Sequence, residues 1–340
     1  MGSGGLPFHG MMDGAGIIRL PSRGNGGNGG GYVYVSNSKK GGGQGGVYGL
    51  YFDKRGRIVD YKQLLTGTSR NSGGGLTPWN TWISCEERES IGQCWQVDPD
   101  PSSEHHATPQ KTILGGANGG SYDSAAVDNA NPDKPVFFVT EDFFDGPVRR
   151  IETDGNGWSS LNGGGTTTYL RIVDEYHFEW TSDEPAARDS ARLNYPNAEG
   201  ITCRDGRLYF VTKYGSTLFT LDLNTMKYVT EGIGQLNHFG WGSAFEAQPD
   251  QIVFGPRGEN LYFNADGSET HFSISATPGV YYRKTGTYYT ILQGIPGGKY
   301  TEDKTVGLAF SPDRMRMYVG MQKAGVLLEL TREDGEEFEG

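Results

Sequence analysis

"RLYFVTKYGSTLFTLDLNT", residues 207–225, runs apolar, passes through a short polar turn, runs apolar again and closes near an aspartate. Short runs rich in Leu, Tyr, Phe, Val and Thr between Gly, Asp and Asn predict strands, and two of them across a short turn predict a hairpin. Leu208, Tyr209, Phe210 and Val211 are apolar on both faces. A half-solvated sheet would alternate, so this run predicts a strand covered from both sides.

The layout returns five times. It is seen in "GYVYVSNSKKGGGQGGVYGLYFDKRG" (31–56), "NTWISCEERESIGQCWQVDPD" (80–100) and "VFFVTEDFFDGPVRRIETDG" (136–155). It is seen again in "NLYFNADGSETHFSISATPGVYYRKTG" (260–286) and "RMYVGMQKAGVLLELTREDG" (316–335). The hairpins begin near residues 32, 81, 136, 208, 261 and 316, most of them roughly fifty residues apart. That interval holds a four-stranded propeller blade with its loops. The predicted fold is all-β, a six-bladed β-propeller in one domain. A pair of β-sandwiches would account for the strands but not for the even spacing. Helix signals are confined to "EPAARDSARL" (184–193) and "REDGEEFEG" (332–340), neither with a clear apolar period. The division expected is a Gly-rich arm over 1–30, the propeller over 31–332 and an acidic tail over 333–340.

The 340 residues carry a formal charge of -11. That balance, without a Lys/Arg stripe, argues against nucleic acid as a partner. No apolar window of ~18 residues is present, so no membrane insertion is expected. The first residues resemble neither a signal nor a transit peptide, so any targeting segment is expected to be missing from this chain. Three cysteines make no disulfide framework, which suits a reducing compartment. Glycine is the outlier: 54 residues, more than twice the usual ~7% share. Its clusters, among them "NSGGG" (71–75) and "GGANGG" (115–120), read as connectors, since none leads into a GK[ST] phosphate loop.

"TPWNTWISCEERES" (77–90) steers aromatics into Cys85, Glu86 and Glu87. Trp79 and Trp82 read as blade packing. Glu86 and Glu87 cannot share a strand face, so at most one of them points inward. Cys85 is either a metal ligand or a buried structural thiol. His105 and His106 sit in a polar loop and read as exposed.

These residues resemble the PhoX-type alkaline phosphatases, metal-dependent phosphoesterases on a β-propeller. "SRNSGGGLTPWNTWISCEE" (69–87) is similar to the most distinctive signature of that family, RNCAGG followed by TPWGTWLSCEE. Weaker segments follow in order: "YVYVSNS" (32–38), "FFVTED" (137–142), "NAEGITCRDGRLYFVT" (197–212), "PDQIVFGPRGENLYFNADG" (249–267) and "TVGLAFSPDRMRMYVG" (305–320). The resemblance implies a cysteine and several carboxylates converging on the propeller axis, where the family binds iron and calcium that polarise a phosphate ester. Calcium wants carboxylate oxygens, and thiolate favours a transition metal.

Carried over position by position, the resemblance gives Cys85, Glu86, Asp123, Glu199 and Asp266 as the remnant metal candidates. Other positions depart from the pattern. Tyr122 replaces a histidine, Asp123 a glutamate, Ala265 an acid, Lys304 an acid and Ser72 the cysteine of RNCAGG. Two like unit charges ~4 Å apart repel by about 4 kcal/mol at an effective dielectric of about 20, or roughly three decades of metal affinity. The expectation is therefore no bound metal, no cofactor and no catalysis, with Cys85 and Glu86 as relics. The chain is further similar to the pyrenoid-shell proteins of diatoms and related algae. That resemblance implies a self-assembling shell or scaffold protein of the chloroplast stroma or pyrenoid, whose partner is itself in an extended sheet or tube. The alternative is a metal-dependent phosphoesterase with a rearranged iron and calcium site.

Overall fold

The computed structural model describes residues 8–21, 30–106, 108–233, 248–265, 277–295, 297–300 and 302–339. Blade 1 contains β1 (Met12–Arg19), β2 (Tyr32–Ser38), β3 (Gly45–Phe52) and β4 (Ile58–Thr68). Blade 2 contains β5 (Asn71–Leu76), β6 (Trp82–Gly92), β7 (Cys94–Val97) and β8 (Gln110–Lys111). Blade 3 contains β9 (Gly120–Asp128), β10 (Val136–Glu141), β11 (Arg149–Thr153), β12 (Gly165–Ile172) and β13 (Phe178–Thr181). Helix α1 (Glu184–Asn194) follows. Blade 4 contains β14 (Ala198–Arg204), β15 (Arg207–Thr212), β16 (Thr217–Asp222) and β17 (Lys227–Gly232). Blade 5 contains β18 (Pro249–Phe254), β19 (Leu261–Ala265), β20 (Gly279–Lys284) and β21 (Thr287–Gln293). Blade 6 contains β22 (Thr305–Phe310), β23 (Met317–Met321) and β24 (Val326–Leu330).

The first strands form the inner ring. β1 lies against β5, β5 against β9, β9 against β14, β14 against β18, β18 against β22, and β22 returns to β1. This is a six-bladed propeller. The six hairpins read from the sequence are the second and third strands of successive blades, with β2, β6, β10, β15, β19 and β23 in corresponding places. Blade faces bury Val33, Ile83, Phe137, Phe210, Phe263 and Val319, each no more than 1% exposed. Trp82 packs with Val33, Val35 and Leu65 of blade 1, and its Nε1 donates to Asn37 Oδ1 at 2.9 Å. Trp79 meets Phe137 edge-on. No helix among the described residues is long and apolar enough to cross a membrane.

The two ends correct the expected division. Residues 12–19 are not an arm: β1 is the innermost strand of blade 1, and its Met12 and Ile18 are buried. Residues 22–29 lie outside the described residues. The acidic tail is docked. Phe338 is buried and packs edge-on against Phe310, while Glu339 accepts from the Arg257 and Asn260 backbone amides at 2.8 and 3.0 Å. One apolar residue and a few carboxylates with partners were enough to hold a segment whose composition reads as solvated. The segment 184–193 is a helix despite its weak period. Asp183 caps it by accepting from the Ala186 amide, and Pro185 occupies its first turn.

His9, just ahead of β1, gives the fold an acid-sensitive contact. Its ring stacks on Tyr48 at 4.5 Å, and its nitrogens meet Tyr61 Oη at 2.8 Å and Ser36 Oγ at 3.1 Å. Burial, above all, pulls its pKa down to about 4. Between about pH 6.5 and 4 the unfolded chain takes up a proton that folded His9 refuses. This contribution is therefore whole above about pH 6.5 and lost as pH falls towards 4, about 2–3 kcal/mol in all. The stability difference between pH 7.5 and 4.5, from urea denaturation, is expected to shrink by that amount in His9→Gln. Equal differences in the two proteins would contradict it.

Candidate axial metal site

Every inner strand carries one extra residue at the same place. β1 advances from Met12 to Ala15 while β2 moves from Ser38 to Ser36, and the same three-against-two step occurs between Asn71 and Gly74, Tyr122 and Ala125, Ala198 and Ile201, Pro249 and Ile252, and Val306 and Ala309. A bulge of this kind re-aims the side chain it carries. The first bulge residues, in blade order, are Asp13, Ser72, Asp123, Glu199, Asp250 and Gly307. They form one axial ring of four carboxylates, a hydroxyl and a bare glycine.

The second bulge residue is mostly small because neighbouring backbones press together there. A Cβ on Gly73 would sit 2.0 Å from Ser124 Oγ and 2.6 Å from the Asp123 carbonyl. "NSGGG" is thus an inner strand and not a connector. Gly307 has φ +62°, and a Cβ there would lie 2.4 Å from Tyr34 Oη, so blade 6 offers the axis no side chain at this position.

Asp123, Glu199 and Asp250 are buried, and each brings a carboxylate oxygen within 4.8 Å of the other two. Oxygens at ~2.3–2.6 Å from one cation stand at most about that far apart, so the trio fits a hard divalent ion such as calcium. Ser72 Oγ donates to Asp123 Oδ1 and Ser124 Oγ to Oδ2, both at 2.7 Å. Asp13 accepts from the amides of Gln251 and Gln322 at 2.8 Å each.

Two lysines reach the same region. Lys39 Nζ lies 2.6 Å from Glu87 Oε2, 3.5 Å from Asp13 Oδ2 and 3.0 Å from Ser72 Oγ. Lys213 Nζ lies 2.5 Å from Glu199 Oε1 and 3.4 Å from Asp142 Oδ2. Burial pulls Lys39 down, but Glu87, Asp13 and Asp250 together outweigh it and hold its pKa well above the ordinary value. Burial, moderated by Lys39, pushes Asp123 up to about 6. Burial and then Asp142 hold Glu199 well above the usual carboxylate range, although Lys213 opposes them. For Asp142 the balance reverses: Lys213 and the Asn197 amide overcome burial and keep it low. Lys213 thus neutralises one member of the trio, Glu199, while Lys39 is held by Glu87 and Asp13 beside it.

Of the residues singled out in the sequence, Asp123 and Glu199 reach the axis. Cys85 does not. It is the cross-strand partner of Cys94, with the sulfurs 3.4 Å apart, inside a core of Ile83, Leu114, Tyr122 and Phe137. Burial, with Cys94 beside it, pushes the Cys85 thiol well up, the opposite of what a thiolate ligand needs. Glu86 also turns from the axis, accepting from the Ser69 amide at 2.8 Å and from Trp95 Nε1 at 3.1 Å. Glu87 is the acid of the pair that faces inward. Tyr122 is a packing residue whose hydroxyl donates to the Gly115 carbonyl. Asp266 lies outside the described residues. His105 is half-buried and stacks on Trp158, with exposed Glu104 3.7 Å from its Nε2.

Asp13, Asp250, Lys39 and Lys213 were not anticipated. The pairs Asp13-Gly14, Ser72-Gly73, Asp123-Ser124 and Glu199-Gly200, each opening an inner strand, were the available signal. The axial place of a soft ligand is Ser72, where the signature in the resembling family has its cysteine.

Comparison with known proteins agrees with the fold. Residues 57–147 match the family model of alkaline phosphatase PhoX, a segment that includes Ser72 and Asp123 but not Glu199 or Asp250. No curated protein sequence matches the chain. Among solved structures, PhoX of Pseudomonas fluorescens, in complex with the transition-state analogue vanadate, superimposes with a TM-score of 0.72 at 15% identity, over 97% of this chain and 90% of that one. A gluconolactonase of Xanthomonas campestris follows with a TM-score of 0.51 at 13% identity, over 95% and 86% of the two chains. The Cps50 (Swd1) β-propeller domain of Myceliophthora thermophila gives 0.50 at 10% identity, over 94% and 96%. The chain is thus a six-bladed β-propeller that shares its fold with PhoX along its length and matches that family's model over residues 57–147.

Proposed function

We propose that this chain is a non-catalytic PhoX-like propeller that serves as a self-assembling scaffold, such as a pyrenoid shell. The observation that supports the reading is the make-up of the axis. Ser72 stands where the resemblance has a thiolate, and Lys39 and Lys213 put ammonium groups among the carboxylates. A serine hydroxyl is no substitute for thiolate towards iron, and each ammonium claims charge that a second or third cation would need. The donors do suit one hard cation. Asp123, Glu199 and Asp250 would hold calcium, and the ion would supply charge neutralisation between blades 3, 4 and 5. Ser72 and Ser124 orient Asp123 for it, Lys39 pairs Glu87 and Asp13, and Lys213 would pass from Glu199 to Asp142 as the ion took its place.

A rigid disc whose identical copies meet without closing a ring propagates into sheets or tubes. Its outer strands offer Ile58, Val59 and Val229, each more than half exposed, as apolar rim contacts. A net charge of -11 opposes lateral packing, so assembly is expected to strengthen with salt.

The second reading, a phosphoesterase with a rearranged metal site, draws on the same carboxylate trio. One experiment separates them. The purified protein is dialysed against calcium and iron, its metals are measured, and p-nitrophenyl phosphate hydrolysis and light scattering are followed across salt. Expected are at most calcium, background hydrolysis and growing assemblies. Stoichiometric iron, or turnover that Asp123→Asn abolishes, would establish the enzyme, and a strict monomer at all salts would remove the scaffold.

A further inference from the structure

Arg149 opens β11 on the face of blade 3 that looks towards blade 2, and it is 8% exposed. Its guanidinium lies between two tyrosine rings, with Cζ 5.7 Å from the centre of Tyr122 and 5.3 Å from that of Tyr169. Below it runs the loop 115–119. Gly116 has φ +62°, and a Cβ there would come within 2.6 Å of Arg149 Nη2, so the glycine leaves the room that the guanidinium fills. Among the described residues no carboxylate forms an ion pair with Arg149, and its buried Nε has no hydrogen-bond partner. Arg188 nearby is the contrast, paired with Glu184 at 3.0 Å, Asp145 at 3.4 Å and Glu141 at 3.5 Å. A cation stripped of water, with no ion pair and only the field of buried Glu141 against it, is costly to keep. Stacking on two rings relieves part of that cost, and it leaves Nε without a partner.

Arg149 lines a cavity of about 580 Å³ walled also by the 116–119 loop, Glu89, Phe143, Tyr169, Glu184 and Arg188. The volume lies within the ~300–1,000 Å³ typical of small-molecule sites. Glu141 and Asp142 are consecutive and diverge here. Glu141 lines this cavity, and Asp142 turns to Lys213 at the axis. The cavity is therefore separate from the carboxylate trio, and its ligand is independent of the function proposed above.

We propose that this cavity is a binding site for a small molecule bearing one oxyanion group, carboxylate or phosphate, held by Arg149. A planar guanidinium presents paired donors that match either group. The acids on the wall, Glu89, Glu141 and Glu184, disfavour a polyanion and favour a ligand whose remaining part donates hydrogen bonds. Phe143, 46% exposed at the wall, offers an apolar surface to the ligand body.

The test is calorimetric titration of the full chain with inorganic phosphate and, separately, with acetate, at constant ionic strength set by sodium chloride. Saturable binding of at least one anion is expected, and the stronger arm tells phosphate from carboxylate. Arg149→Gln should weaken it at least tenfold. Should that variant fail to fold for want of its stacked guanidinium, Ala117→Glu keeps the tyrosine stack and sets a competing carboxylate at the exposed mouth. It too should weaken binding at least tenfold. No saturable binding of either anion to the unaltered chain overturns the proposal. Binding that is unchanged in the folded variants does so as well, by placing the anion elsewhere, for instance on the axial lysines.

Discussion

A chain lacking residues 1–20 is expected not to fold. β1 contributes one sixth of the inner ring, paired with β2 from Met12–Ser38 to Arg19–Tyr32 and seated between β22 and β5. Its loss exposes the faces that Met12, Ala15 and Ile18 cover, at ~1.5–3 kcal/mol for each large side chain. It also removes the strand that seats blade 1 against blade 6, leaving the Tyr32–Tyr318 and Tyr34–Gly307 hydrogen bonds and their aromatic packing to bridge the ring's ends, and it deprives Gln251 and Gln322 of Asp13. Against a total stability of roughly 5–15 kcal/mol, little is left. Circular dichroism and gel filtration would read this as lost strand signal and an expanded or aggregated chain. Removal of residues 331–340 is the control. It takes away Phe338 and the Glu337 and Glu339 contacts, so a folded protein about 2–4 kcal/mol less stable is expected. A compact, folded product of the first deletion would show that β1 is dispensable and the ring closes without it.

Lys39→Met should lower stability by about 3 kcal/mol in the presence of a chelator, because it takes the ammonium from two acids in a largely buried site and leaves Glu87 only Arg70, 3.6 Å away. Lys39 serves Glu87 and Asp13, and Asp13 is held by two amides that give it no route to solvent. The methionine keeps the stem and its packing, so the loss reports the charge. Calcium should then restore part of it, by about 2.7 kcal/mol at a hundred times its dissociation constant. Urea denaturation with and without calcium measures both effects. A loss below about 1 kcal/mol would mean that the axial acids are protonated and need no ammonium. Full loss with no calcium response would mean that the trio is not a cation site.

Much of the blade structure was legible because it is local. "RLYFVTKYGSTLFTLDLNT" needs only its own residues to specify two runs and a turn, and β15 and β16 pair as those runs require, Arg207 with Asp222 through Thr212 with Thr217. Spacing then counted the blades. The helix at 184–194 was less legible, since Asp183 and Pro185 start it while its buried stripe, Ala187, Ser190 and Ala191, is too small to mark a period. The docked tail was illegible for a related reason, since one phenylalanine among acids does not announce the pocket that receives it.

What the sequence by itself determined is the alternation within each strand: Glu86 and Glu87 point to opposite faces whatever the fold. Which of them meets the axis was decided by tertiary structure. A single extra residue reverses every side chain that follows it, and all six inner strands carry such a residue next to their axial position. That reversal, with the pairing of β6 to β5 and β7, sends Cys85 into the core beside Cys94 and brings Ser72 to the centre. Asp123, Glu199 and Asp250 stand far apart along the chain, and no local pattern relates their carboxylates. Only closure of the ring brings them within 4.8 Å, because each blade delivers one bulge to the same axis.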